Sequence, residues 1–327
     1  MNSLERSWYQ RVGWSWLLLP LSLLFAALSG TRRWLFKTGL KSAHRLPLPV
    51  IVVGNITVGG TGKTPITLWL CEYLQTQGLK PGIVSRGYGV KLTAPKLIDL
   101  QQDTPSTVGD EPYLLASRSG CPVVVCPDRV AAAQLLCSAT PCNIIISDDG
   151  LQHYALRRDL EIVLIDGSRG VGNGLLLPAG PLREGVWRLK TADLVLANST
   201  ENPFAAWSFD LQVMPARLLV DEQQTLAAGT PVTLVSGIGN PQRFVVSAAQ
   251  LGYLATSSHF FADHHAFCAD DFSGLTGPIL MTEKDAVKCR PFARSDWYYL
   301  PVAARLPQAA IDVIAEKLQQ LRSRYGI

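Results

Sequence analysis

Twelve residues, GNITVGGTGKTP at positions 54–65, constrain this chain more than any other stretch. They follow PVIVVGN, a short apolar run rich in β-branched residues and bounded by proline and glycine, which predicts a buried strand. They precede ITLWLCEYLQTQ, where apolar residues recur at helical spacing until Gly78 ends the helix. A glycine-rich turn in that position aims successive backbone N–H groups at an anion, because first-turn amides have no partner inside their own helix. The stretch departs from G-x-x-x-x-G-K-[ST] only where Thr57 replaces the first glycine, which alters the approach to the cradle but not the cradle. Thr57, Val58, Gly59, Gly60, Thr61 and Gly62 would then wrap a phosphate, Lys63 would reach its outer oxygens and Thr64 would meet Mg²⁺. Pro65 is compatible, since an early helical position has no N–H bond to lose. The bland alternative is a glycine-rich turn with an incidental Lys-Thr; the strand-turn-helix context favours ATP.

Such a loop needs a metal-holding acid at the end of a neighbouring strand. NIIISDDG offers Asp148 and Asp149 after an apolar run, and adjacent carboxylates suit Mg²⁺, which takes oxygen ligands. A solvated acidic turn is the competing reading. Strands and helices continue to alternate: PGIVSRGYG, a helix over 111–119, CPVVVCP, DRVAAAQLLCSA, LEIVLIDG and ADLVLAN. This alternation predicts an α/β fold, a mostly parallel sheet with helices on both faces. WSFDLQVMPARLLV lacks an intervening helix and reads as a β-ribbon linker. TPVTLVSGI, a helix from about 241 to 251, PILMTEKD, WYYLPV and a closing helix over 307–322 then predict a second, smaller α/β lobe. The resulting division is 1–46 for an apolar N-terminal segment, 47–200 for the nucleotide-binding domain, 201–228 for the linker and 229–327 for the smaller lobe.

Residues 12–28, VGWSWLLLPLSLLFAAL, are nearly all apolar, with Arg11 before them and Arg32, Arg33 and Lys37 after. Seventeen residues is the short edge of what crosses a bilayer. Pro20 would kink a helix, and Trp14, Trp16 and Trp34 suit the interfacial zone. A signal peptide would carry a shorter apolar core and would remove the loop from cytosolic ATP. A buried core helix is the other alternative; the preferred reading is an anchor that spans or lies on a membrane. Net charge of +4 on 327 residues and the lack of a long basic run give no support to nucleic-acid binding. Seven cysteines without a C-x-x-C pair read as buried thiols in a reducing compartment.

Seven stretches then occur in order: GNITVGGTGKTP, SRGYG at 85–89, GDEP at 109–112, DDGLQHY at 148–154, GNGLLLPAGPLRE at 172–184, ADHH at 262–265 and MTEKDAVKC at 281–289. Together they closely resemble the tetraacyldisaccharide 4'-kinases, the lipid A 4'-kinases of Gram-negative bacteria, over nearly the whole chain. The resemblance implies two α/β lobes joined by a β-ribbon, ATP and Mg²⁺ as cofactors, and the cytoplasmic face of the inner membrane. It implies an acylated glucosamine disaccharide 1-phosphate as acceptor, phosphorylated at its 4'-hydroxyl, and no obligate protein partner.

By that resemblance Asp110 in GDEP is the base that takes the hydroxyl proton. From residues alone, an aspartate beside Pro112 at a helix start reads equally as an N-cap. His264 is expected to pair with Asp110 across the cleft, with His265 facing solvent. Asp148, Asp149 and Glu184 are expected in or near the metal shell with Thr64. Arg86 and Arg183 are candidates for phosphate or substrate, and Gln152 and His153 for orienting the acidic pair. TEKDAVK reads as a capped helix start without a catalytic part. Two alternatives remain from the residues: a membrane-associated ATPase switch acting on a protein partner, which leaves GDEP and ADHH unexplained, and a soluble metabolite kinase.

Overall fold

The computed structural model describes residues 3–10 and 12–327; Arg11, expected at the flank of the apolar segment, lies outside them. Helix α1 (Ser3–Trp8) and a 3₁₀ turn (Trp14–Leu18) lead into α2 (Leu19–Lys37). The chain then forms β1 (Val50–Asn55), α3 (Lys63–Thr76), β2 (Pro81–Ser85), β3 (Lys96–Leu97), α4 (Pro105–Val108), α5 (Asp110–Ser119), β4 (Val123–Val125), α6 (Arg129–Ala139), β5 (Ile144–Asp148), β6 (Leu160–Asp166), β7 (Leu194–Asn198) and β8 (Trp207–Val213). Next come β9 (Arg217–Leu218), β10 (Pro231–Ser236), α7 (Pro241–Gln250), β11 (Leu254–Phe260), β12 (Ile279–Thr282), α8 (Glu283–Cys289), β13 (Trp297–Leu300), β14 (Val302–Arg305) and α9 (Gln308–Tyr325).

The larger sheet runs β14-β8-β7-β6-β1-β5-β2-β4-β3, parallel except at its two edge strands. β1 is buried along its whole length because alternate side chains enter two cores. Ile51 and Val53 pack with α3, α5 and α9 through Leu70, Leu115 and Ile314, while Val50 and Val52 pack with α6 through Leu136. The smaller sheet runs β11-β10-β12-β13-β9 and is parallel except for β9.

Sheet membership differs from the linear division expected above. WYYLPV is not one strand: Pro301 has no N–H for a ladder, and the chain there leaves the smaller sheet as β13 and joins the larger one as β14. Pro215 marks the opposite crossing, from β8 to β9. β8 and β14 are the antiparallel ribbon between the lobes, tied at the crossings by Met214 N–H donating to the Pro301 carbonyl (2.9 Å). β14 and α9, placed by number in 229–327, therefore belong to the larger sheet and its core.

The apolar N-terminal segment is turned inside out. The 3₁₀ turn and α2 form a 24-residue apolar helical stretch, and only 11% of its most apolar 18 residues are buried. Leu17, Leu21, Leu24 and Leu28 form a stripe at helical spacing and are 54–81% exposed, while Ser15 and Ser22 face the protein. Ser22 Oγ donates to the Leu176 carbonyl, Arg33 stacks on Trp187 and Phe36 meets Tyr154, so α2 lies along the larger lobe. Pro20 sits in the first turn of α2, where it costs no hydrogen bond, and not at a kink within a longer helix. All seven cysteines are free; five are buried and Cys268 is exposed.

Candidate active site

A cavity of about 2400 Å³ opens where the parallel strands end, lined by the final residues of β2, β5 and β7: Ser85, Asp148 and Asn198. This is the place a parallel sheet offers a ligand, outside the carboxyl ends of its strands. The turn after β1 enters it. Gly59 and Gly62 have φ of +101° and +92°, values an L side chain rarely adopts, and at Gly62 a Cβ would also press on Asn198 and Phe209. The turn is fixed from outside: Val58 N–H donates to the Pro181 carbonyl, and Asn198 Nδ2 donates to that of Thr61. The Thr61 hydroxyl is buried with no hydrogen-bond partner among the described residues. Lys63 opens α3, with Nζ 3.3 Å from Asn55 Oδ1 and 3.7 Å from Asp149 Oδ1. Thr64 and Val58 through Lys63 line the cavity, whereas Thr57 is buried in the approach, bridged to Leu182.

Asp148 closes β5, buried, and accepts from Thr67 Oγ1 (3.2 Å) and Ser85 Oγ (3.5 Å). Burial, then the neighbouring Glu111 and Asp149 charges, push its carboxyl up to about 7, so the site favours a proton or a cation there. Asp149, at φ +46°, turns the other way. Burial opposes its charge, but Lys63 and two contacts from Arg183 Nη1 (3.2 and 3.3 Å) hold it below the ordinary carboxylate range. Among the described residues no three acidic or metal-ligating side chains converge on one point. A Mg²⁺ that borrows one or two carboxylates and completes its shell with phosphate oxygens and water needs no such cage. Thr64, Asp148 and Asp149 fit that requirement.

Glu184 lines the same cavity but has partners of its own. Its Oε1 accepts from Tyr154 (2.8 Å) and its Oε2 lies 3.1 Å from Arg188 Nε. Gln152 donates to the Asn55 carbonyl and so ties the DDGLQH turn to β1. Arg86 is exposed on the cavity wall. His153 makes no hydrogen bond to the acidic pair, and its Nε2 is buried without a hydrogen-bond partner among the described residues. Burial, then Arg129, lower its pKa to about 4. The folded protein therefore binds fewer protons at His153 than the unfolded chain between pH 6.5 and 4, and stability falls as pH falls through that window. In His153→Gln the decline in Tm from pH 7 to pH 4.5 should be shallower than in the parent; an unchanged slope would reject this.

Among the smaller-lobe residues that line the cavity, one is strained. His264, at φ +61°, places Nδ1 3.3 Å from Asp110 Oδ2. Gly109 is the N-cap of α5, so Asp110 is the first helical residue and its carboxylate is turned to His264, not to its own helix amides. His264 lines the cavity with the Tyr88 ring 5.1 Å away, and Asp110 sits just behind it, mostly buried. His265 does not simply face solvent: it stacks on Phe261 and bonds Asp271 at 3.0 Å.

Sequence reasoning missed two groups of residues here. Arg129, buried at the start of α6, donates to the carbonyls of Cys126 and Asp148 and so fastens the acidic turn from behind. TEKDAVK is the capped helix start expected, with Thr282 Oγ1 accepting from Asp285 N–H. It also delivers Lys284 and Lys288 to the Asp110–His264 pair, one turn apart on one face. Only that i, i+4 spacing signalled it.

With the geometry in place, the comparisons become specific. Residues 14–319 match the family model LpxK, tetraacyldisaccharide-1-P 4'-kinase. The chain belongs to that family. Tetraacyldisaccharide 4'-kinase from Aeromonas salmonicida is 49% identical over 322 residues, 97% of each chain, and that of Idiomarina loihiensis is 47% identical over 98% of each. The fold is similar to a crystal structure of an "apo" form of LpxK from Aquifex aeolicus in complex with ATP. The TM-score is 0.78 at 28% identity, covering 95% of this chain and 99% of that one. The family's kinases are phosphotransferases, which agrees with a phosphate cradle and a carboxylate-histidine pair beside one cavity.

Proposed function

We propose that this chain is an ATP-dependent kinase that transfers the γ-phosphoryl group to the 4'-hydroxyl of a tetraacyl glucosamine disaccharide 1-phosphate. The observation that carries the reading is a single cavity bordered by the Gly59–Thr64 turn, by His264 with Asp110 behind it, and by α2, whose exposed leucine stripe reaches the cavity at Leu28. Phosphoryl transfer needs charge neutralisation, alignment and a proton acceptor. The turn amides and Lys63 hold the donor phosphates. Asp110 takes the hydroxyl proton as the sugar oxygen bonds to phosphorus and the bond to ADP breaks. Thr64 with Asp148 or Asp149 would hold Mg²⁺, which would supply charge neutralisation at the phosphates. Arg183 steadies Asp149, and Arg86 stands where it can meet phosphate or substrate.

The acceptor is acylated, and α2 suits that. A soluble surface does not expose a leucine stripe this long without cover, and here serines face inward instead. Because α2 is docked on the larger lobe along its side, it lies in the membrane interface on the ATP-containing, cytoplasmic face and does not cross the bilayer.

Incubation with Mg-ATP and the tetraacyl disaccharide 1-phosphate should yield a product heavier by one phosphate. ATP hydrolysis that ignores the lipid but responds to a protein partner would overturn the reading in favour of a switch. For the membrane, Leu21→Glu/Leu24→Glu removes about 3 kcal/mol of apolar burial or more. Co-sedimentation with anionic vesicles should drop roughly a hundredfold. Undiminished co-sedimentation would show that α2 is not the contact.

A further inference from the structure

The side chains around His264 leave one arrangement of its protons. Lys284 Nζ lies 3.3 Å from His264 Nε2 and 3.0 Å from Glu111 Oε1. An ammonium group has three donors and no lone pair, so the contact is a hydrogen bond only if Nε2 carries the lone pair. The remaining ring proton is then on Nδ1, 3.3 Å from Asp110 Oδ2, where it donates to the carboxylate. Glu111 stands next to Asp110 on α5 and anchors Lys284 in turn, while Lys288 lies 3.8 Å from Asp110 Oδ2 and 2.8 Å from Asp285 Oδ1.

We propose that Lys284 is a positioning residue that holds His264 as the neutral Nδ1–H tautomer, so that the imidazole donates to Asp110 and cannot itself accept the substrate's proton at Nε2. The mechanical consequence follows from where the partners sit. Asp110 and Glu111 begin α5 in the larger lobe, whereas His264 and Lys284 belong to the smaller one. The contact between Lys284 and His264 Nε2 therefore lies within the smaller lobe, whereas the imidazole's bond to Asp110 and the Lys284–Glu111 pair form only when α8 is docked against α5, a contact that Arg118 and Glu283 also bridge. Lys284 sets the tautomer within the smaller lobe, and docking of the lobes brings the Nδ1–H to the carboxylate it orients. A histidine free to rotate or retautomerise would present a lone pair to Asp110, and two acceptors would then face each other.

The inference rests on the reading of Asp110–His264 as the reacting pair, and the test separates the two. In the full-length protein, nitrogen-15 NMR should find His264 with a protonated Nδ1 and an unprotonated Nε2. Lys284→Met should shift that ring toward the Nε2–H form and lower kcat about 10- to 100-fold with KM for ATP unchanged. Lys284→Arg, which keeps a cationic donor, should restore the tautomer and most of kcat. Because Lys284→Met leaves Glu111 without its cation, Lys284→Met/Glu111→Gln serves where the single variant folds poorly, with the same expected shift. A parent ring protonated at Nε2, or a variant that keeps both the Nδ1–H ring and a kcat within threefold, would overturn the proposal. If instead Asp110→Asn retains activity while the tautomer responds to Lys284 as described, the reading of the pair fails and the hydrogen-bond assignment stands.

Discussion

Lys63→Ala should lower kcat for phosphoryl transfer to the disaccharide lipid by about 10²–10³-fold, the usual consequence of removing one preorganised group from developing negative charge. The side chain is held ready for that part. It leaves the first position of α3, it is half-buried, and Asn55 Oδ1 and Asp149 Oδ1 fix its ammonium without pairing it tightly, at 3.3 and 3.7 Å. Triphosphate oxygens would replace those weak contacts with charge-assisted ones. Stability should change little, by about 1 kcal/mol, because the removed contacts are a long ion pair and one neutral acceptor. Lys63→Arg should recover only part of the rate, since a forked guanidinium does not occupy the point-charge position. Turnover within threefold of the parent in Lys63→Ala, at saturating ATP, would remove the turn from the chemistry.

The contrast between Lys63 and Lys284 describes what could be read from residues alone. Lys63 lies within a local strand-turn-helix unit whose spacing dictates where the amides point, so the cradle was legible without a sheet. Asp148 and Asp149 were legible for the same reason, as a polar pair ending an apolar run. Lys284 was not. Its contact with Glu111 spans 173 residues and needs two lobes brought together, and its contact with His264 spans 20 residues across separate elements of one lobe, which no local pattern encodes. Pro215 and Pro301 were visible, yet each was read inside a continuous segment. Only the pairing of β8 with β14 reveals them as the points where the chain changes sheets. The apolar stretch at 12–28 announced a lipid-facing helix but not its inverted packing, because Ser15 and Ser22 turn inward only once Leu176 is placed to receive Ser22. Glu184, a carboxylate at the end of PAGPLRE read as a metal neighbour, lines the same cavity, but its hydrogen bond from Tyr154 and its ion pair with Arg188 were not legible in the sequence.

Asp110→Asn should reduce kcat by about 10²–10⁴-fold, the range for a proton acceptor in the transition state, while leaving KM for ATP near the parent value. The substitution keeps size and hydrogen-bonding geometry but removes the basic oxygen, and Asp110's hydrogen-bond and ion-pair partners among the described residues are His264 and Lys288, not the Gly59–Thr64 turn. Its structural cost is bounded: a charge at the first position of a helix contributes about 0.3–1 kcal/mol. The loss of charge beside Lys288 is softened because Asp285 still pairs with that ammonium at 2.8 Å. A small fall in Tm with a collapse of kcat therefore separates catalysis from scaffolding. His264→Ala should fall less far, since the imidazole orients the carboxylate and does not accept the proton. In Asp110→Asn/His264→Ala the effects should fail to add, the double variant being hardly slower than Asp110→Asn, because an orienting group has nothing left to orient. Full additivity would mean that His264 acts on the substrate by a route of its own, and kcat within threefold of the parent in Asp110→Asn would move the proton acceptor elsewhere in the cavity.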